Sequence, residues 1–206
     1  MTTTLGGVST PQTYAQASRG LLRTTLLDGL RDLLTERDWS KVTMADVARH
    51  VGVSRQTVYN EFGSRHGLAQ AYALRLVDRY TGEIADAVDA MPGDIDGALT
   101  TGITRFLVAA AADPMIASLV GGGPNPDLHR LVTTEAAPLI AAAKARLSAI
   151  LRESWVNADA DSADRIGGAV ARMALSYVAM PPEVPVDQVA ANLTSIFGPA
   201  VREATR

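Results

Sequence analysis

No alternating run of β-branched side chains persists anywhere in these 206 residues, and no Asn-Gly or Asp-Gly pair stands between two such runs. Apolar residues recur instead every three or four positions, the period of a helix. Leu22, Leu26, Leu30, Leu33 and Leu34 share one face and predict a first helix over about 18–36. Thr43 caps a short second helix, with Asp46 in the capping-box position, and Gly52 ends it. Ser54 caps a third, which Gly63 ends, and Ser64 caps a long fourth reaching about residue 90. Met91-Pro92-Gly93-Asp94 is a breaker. A fifth helix follows with Ile95, Leu99, Ile103, Phe106, Leu107 and Ala110 at helical spacing. A short sixth runs to Leu119, and Gly121 to Pro126 reads as loop. A seventh covers about 134–155, with Pro138 either in its first turn or kinking it, and two more cover about 162–180 and 186–205. The expectation is an all-α chain of about nine helices without internal repeats.

Composition narrows the class. With 47% apolar and 20% charged residues the chain is globular, and without Cys it is no disulfide scaffold. No apolar run approaches about 18 residues, and the N-terminus lacks a signal pattern, so a cytoplasmic location is expected. The net charge of −3 conceals an asymmetry: residues 1–80 carry 10 Lys+Arg against 7 Asp+Glu, the remainder 9 against 15. A basic front and an acidic back suggest two jobs in one chain. Of 34 Ala, 27 lie beyond residue 84, which reflects either helix propensity or small walls around an internal space.

The most informative stretch is VTMADVARHVGVSRQTVYNEFGSRHGL, Val42 to Leu68. Val47, Ala48 and Val51 form the inner face of one short helix. Gly52 supplies a left-handed turn, and Val53 plugs the corner. Val58 and Phe62, one turn apart, bury the next helix, so Arg55, Gln56, Thr57, Tyr59 and Asn60 face outward. A two-turn helix with one buried stripe and a hydrogen-bonding outer face suits a DNA major groove, although the spacing alone also fits a helical hairpin with a solvated face.

The residues Val47-Ala48, Gly52-Val53-Ser54, Thr57-Val58-Tyr59, Phe62, Ser64-Arg65 and Leu68 resemble, position by position, the helix-turn-helix of the TetR family of bacterial transcriptional regulators. Beyond this stretch the chain agrees with the family in length and helix count only. The resemblance implies a homodimer that binds double-stranded operator DNA, with an arm over 1–15, a DNA-binding domain over 16–66 and a ligand-binding and dimerisation domain over 67–206. Arg55, Gln56 and Thr57 would contact bases or nearby phosphates, with Asn60 on the same face. Tyr59 matches a phosphate-bonding Tyr, and Arg65 a backbone-touching Lys at the start of the fourth helix. Thr43 and Ser54 would cap helices and donate to phosphate. Arg19 and Arg23 either reach the DNA backbone or are a solvated helix end. Three positions depart from the pattern: Glu61 stands where His is common, and His66 and Gly67 weaken the start of the fourth helix.

The C-terminal helices carry two further expectations. Ile103, Phe106 and Leu107 would face Leu139, Ala143, Leu147 and Ile150, as either a filled core or a cavity. The family implies a cavity, and the apolar walls then imply a lipophilic ligand, a long-chain fatty acid or acyl derivative first and a hydrophobic drug second. Along the eighth helix Ile166, Val170, Met173 and Tyr177 form a large stripe, and Ala163, Gly167, Ala171 and Ala174 a small one. The small stripe, with Leu193, Ile196 and Phe197 of the ninth helix, is expected at a four-helix dimer interface. Rival chemistries have little to stand on. The three His are far apart and without Cys partners, so no metal is expected, and Gly121-Gly122-Gly123 follows no strand. No cofactor and no catalysis are expected. The reading is a ligand-responsive repressor released from a pseudo-palindromic operator by a lipophilic molecule. The alternatives are an all-α lipid carrier with a purely structural helix-turn-helix, and a helical-bundle enzyme.

Overall fold

Helix boundaries in this chain are written by capping side chains. The computed structural model describes residues 14–205 other than 122 and 124, and ten α-helices lie within them. The helix α1 (Tyr14–Glu36) leads to a 3₁₀ turn (Trp39–Lys41), then α2 (Met44–Val51) and α3 (Arg55–Phe62). At the start of α2, Thr43 accepts from the Asp46 N–H while Asp46 accepts from the Thr43 N–H, a complete capping box. Gly52 adopts φ 78°, the left-handed turn that lets α3 double back, and Ser54 caps α3. Ser64 caps α4 (Arg65–Asp89), which runs unbroken for 25 residues, so the domain boundary expected at residues 66–67 falls in the first turn of a continuous helix. Of the expected N-terminal arm, residues 1–13 lie outside the described residues, and Tyr14 and Ala15 already belong to α1.

The rest of the chain forms α5 (Ile95–Ala111), α6 (Pro114–Val120), α7 (Pro126–Val132), α8 (Ala137–Glu153), α9 (Ala160–Ala179) and α10 (Val186–Ala204). The tenth helix is a correction to the expected nine. Pro126 ends a loop by composition, but Pro is also favoured in a helix's first turn, and it starts α7. No single helix among the described residues is long and apolar enough to cross a membrane.

Among the described residues, three apolar clusters make up the core. One joins α1–α4 to α6 and α7 around Leu26, Leu30, Trp39 and Tyr72, all fully buried. A second gathers Val88, Ala98, Ile166 and Val201 at the far end of α4, and a third gathers Leu107, Val189 and Leu193.

The small stripe of α9, expected at the dimer interface, is largely covered by its own chain. Ala163 and Ala171 are buried, and a Cβ on Gly167 would stand 2.9 Å from Ser148 Oγ and 3.1 Å from the Ser148 backbone nitrogen, both on α8 of the same chain. Periodicity identifies residues that share a face; it does not say which neighbour they meet, and α9 packs against α8, α10, α6 and α7. Leu193 is likewise buried in its own subunit against Leu107 and Val189. Ala174 is half-buried and lines an internal cavity. Of the residues assigned to the interface, Ile196 is 59% exposed and Phe197 lies half-buried beside it in a shallow groove between α9 and α10.

Candidate functional site

The α2–turn–α3 unit presents its polar residues outward as the spacing predicts. Val58 and Phe62 are buried, Arg55, Gln56 and Asn60 are exposed, and Thr57 and Tyr59 are half-buried. Two pairs one turn apart hold the exposed face in order. Arg55 Nη2 donates to the Tyr59 hydroxyl at 3.2 Å, and Gln56 Nε2 donates to Asn60 Oδ1 at 2.8 Å. Ser54 Oγ and Thr57 Oγ1 lie 2.8 Å apart and share one proton, so one of the two hydroxyls keeps a donor for an outside acceptor. Thr43 has none to spare: its hydroxyl donates to Asp46 Oδ2 at 2.6 Å. In this arrangement Thr43 serves as a helix cap.

Glu61, the departure most at odds with DNA binding, is neutralised from α1. Its side chain is only 7% exposed and receives Arg19 Nε at 3.0 Å and Arg23 Nη1 at 2.8 Å. Burial pushes the carboxyl pKa up, but the hydrogen bonds from Arg23 and Arg19 outweigh it and hold the group below its ordinary range. Two guanidinium groups around one carboxylate leave a net positive corner beside α3, with Arg23 also 5.0 Å from the Phe62 ring.

Arg65 is a correction to the expected phosphate contact. It turns inward: Nε donates to the Val42 carbonyl at 3.0 Å, Nη2 to the Trp39 carbonyl, and Nη1 to Asp127 Oδ2 at 2.8 Å, with its guanidinium 4.0 Å from the Trp39 ring. The family motif located the residue but not its rotamer. Gly67 is likewise no weakness in α4, because a Cβ there would lie 2.1 Å from the Phe62 carbonyl oxygen. His66 Nε2 pairs with Glu135 Oε2 at 2.7 Å, another tie between the first turn of α4 and the chain beyond α7.

Behind this face lies a cavity of about 210 Å³. Six of the seven expected residues line it: Ile103, Phe106, Leu139, Ala143, Leu147 and Ile150. Leu107 does not, and packs against Val189 and Leu193 of α10. The longest wall was missed. It is a stripe of α4 through Ala73, Leu76, Val77, Tyr80, Ile84 and Val88, spaced at three and four residues and visible in the sequence once α4 is known to be a wall. Among the described residues no charged side chain lines the cavity. Two of its hydroxyls are turned to the backbone, Thr81 donating to Val77 O at 2.8 Å and Tyr80 to Ala109 O at 3.4 Å. Beside it, the Asp113 carboxylate is fully buried, caps α6 through the Met115 N–H, and accepts from Tyr72 and Arg79. Burial and the Asp113 charge push the Tyr72 hydroxyl well above its usual range.

Residues 26–72 match the family described as bacterial regulatory proteins, tetR family, and residues 94–199 match the bacterial tetracyclin repressor C-terminal domain. The chain is similar to the HTH-type transcriptional regulator AlkX of Mycobacterium tuberculosis, 49% identical over 186 residues that cover 90% of this chain and 88% of that one. It is also similar to the solved TetR family repressor AlkX from Dietzia sp. strain DQ12-45-1b, implicated in biodegradation of n-alkanes. That match has TM-score 0.83 and 45% identity, and covers 89% of this chain and 97% of that one. A TetR transcriptional regulator from Rhodococcus sp. RHA1, 16% identical, shares the fold at TM-score 0.61, covering 88% and 95% of the two chains.

Proposed function

The chain belongs to the TetR family of bacterial transcriptional regulators, and from that premise we propose that it acts as a homodimer whose two α3 helices read a pseudo-palindromic operator and whose cavity takes a long unbranched aliphatic chain. Membership makes the protein a ligand-responsive, DNA-binding regulator rather than an enzyme, and the solved relative at 45% identity is a repressor. Base contacts fall to Arg55, Gln56, Thr57 and Asn60, and phosphate contacts to Tyr59, Ser54 and the Arg19–Arg23 corner. The dimer forms over the open α9–α10 groove around Ile196, Phe197, Ala169 and Ala200. The DNA-binding unit is residues 16–66, with α4 continuing from it into the ligand-binding part, 67–206, and the cytoplasm is its place of action.

The observation that carries the ligand class is the cavity wall. Without a charged lining residue, a sugar or dicarboxylate would lose its hydration with no replacement. Each buried methylene contributes about 0.8 kcal/mol, so a chain gains affinity with every carbon until the space is full. The aliphatic part of a fatty acid or acyl derivative matches this wall. That the repressor at 45% identity is implicated in n-alkane biodegradation supports hydrocarbon-derived ligands. The operator is found by selection from a random DNA pool, and straight-chain fatty acids of graded length are then titrated against the labelled complex while anisotropy follows release. Release by long chains but not by polar metabolites is expected; the reverse order refutes the ligand class.

A further inference from the structure

Two seven-residue helices, α6 and α7, stand between the cavity and the DNA-reading half, and each shows a different chemistry on its two sides. On α6, Ser118 accepts the Trp39 backbone N–H at 3.1 Å, while its neighbour Leu119 lines the cavity. On α7, Asp127 holds Arg65, while its neighbour Leu128 lines the cavity. Between them Asn125 donates to the Ser118 carbonyl at 2.7 Å and to Asp38 at 3.3 Å. Asp38, Trp39 and Arg65 flank α2 and α3 in the chain. Helices this short have little stability of their own, so their position is set by what packs on either side.

The other end of the cavity is distant. Its α4 wall runs from Ala73 to Val88, and a rise of about 1.5 Å per residue makes that about 22 Å. Val88, Ala98 and Val201 line the far end and belong to an apolar cluster separate from that of Leu119 and Leu128. Carbon–carbon bonds of about 1.52 Å at about 111° advance a zigzag chain about 1.25 Å per bond, so an extended chain of about 18 carbons matches the length of that α4 wall.

We infer that the cavity is a length gauge in which binding and release are separate events. A chain long enough to bear on Val88 and Val201 at one end and on Leu119 and Leu128 at the other displaces α6 and α7 and breaks their ties to Trp39, Asp38 and Arg65. A shorter chain occupies the same apolar space without pressing both ends, and leaves the DNA-reading half where it was. Mid-length chains are therefore competitive antagonists of the long ones. This inference rests on the lipophilic reading of the cavity.

The test measures binding by calorimetry and operator release by anisotropy for the same set of saturated fatty acids. Chains of about 10 carbons should bind yet leave DNA bound and block release by chains of about 18, which should both bind and release. The end walls then give opposite signs. Ala98→Leu shortens the far end, so the release threshold should fall by about three carbons. Leu128→Ala lengthens the near end, so the threshold should rise. Val201→Met repeats the far-end test should Ala98→Leu fail to fold by circular dichroism. Release proportional to occupancy at every length, or a shift of the same sign from both ends, overturns the gauge while leaving the lipophilic reading intact. Absence of binding by any chain removes both.

Discussion

Replacing Arg65 with Ala separates a structural tie from a phosphate contact. The side chain donates to two backbone carbonyls and to Asp127, and stacks on Trp39. Charge-assisted hydrogen bonds contribute about 1.5 to 3 kcal/mol apiece, and an Arg over an indole about 1 kcal/mol. Arg65 and Asp127 are 32% and 28% exposed, so the low end applies and the ion pair adds little, for a total of about 4 kcal/mol. For a chain of this size that lowers Tm by about 10 °C. Arg65→Lys should recover little of it, because one ammonium cannot span three acceptors in the guanidinium's geometry. The second readout is the salt dependence of operator binding. Each neutralised phosphate contributes about −0.9 to the slope of log K against log salt, and Arg65→Ala should leave that slope unchanged. A slope shallower by about 0.9 with an unchanged melting curve would restore Arg65 to the DNA and refute the inward assignment.

Gly167→Ala forces a methyl group toward the α8 backbone and should cost about 1 to 3 kcal/mol, read as a melting temperature lowered independently of protein concentration. Dissociation of the dimer with unchanged melting would instead return the small stripe to the interface. Glu61 has a pKa below 4.5 in the folded chain, so it contributes stability above about pH 4.5 that is lost as pH falls through the lower folded value. Glu61→Gln should flatten that acid limb, and an unaltered limb would dismiss the Arg19–Arg23 clamp. Phe106→Trp enlarges a side chain on the cavity wall and should shorten the preferred fatty acid, measured by the same release titration.

Where local chemistry sets the structure, the sequence was legible. Thr43, Asp46, Gly52, Ser54, Gly63 and Ser64 each mark a boundary through their own hydrogen bonds or backbone angle, and α2, α3 and the start of α4 fall where they say. The outward set on α3 follows from two buried residues one turn apart. The failures share a different cause. Gly167 and Ala171 share a face of α9, but only the packed fold reveals that α8 covers it. Arg65 sits at the motif position, yet Trp39 and Asp127, distant in sequence, decide where its guanidinium goes. The start of α7 was hidden because Pro126 reads equally as a breaker and as a first helical residue. The cavity stripe of α4 obeys the helical period throughout, but periodicity does not distinguish a filled core from a wall.

The central claim, that a long aliphatic chain in the cavity repositions the two DNA-reading units, is open to a distance measurement. The chain has no native Cys, so Glu36→Cys at the exposed end of α1 gives one spin label per subunit. Pulsed electron resonance would then report the separation of the two labels in the dimer. On DNA the α3 helices should sit about 34 to 36 Å apart or a multiple of it, fixing one narrow label distance. Adding octadecanoate should shift that distance by several ångströms as the operator leaves, and decanoate should not. An unchanged distance distribution with octadecanoate bound and DNA released would contradict the account.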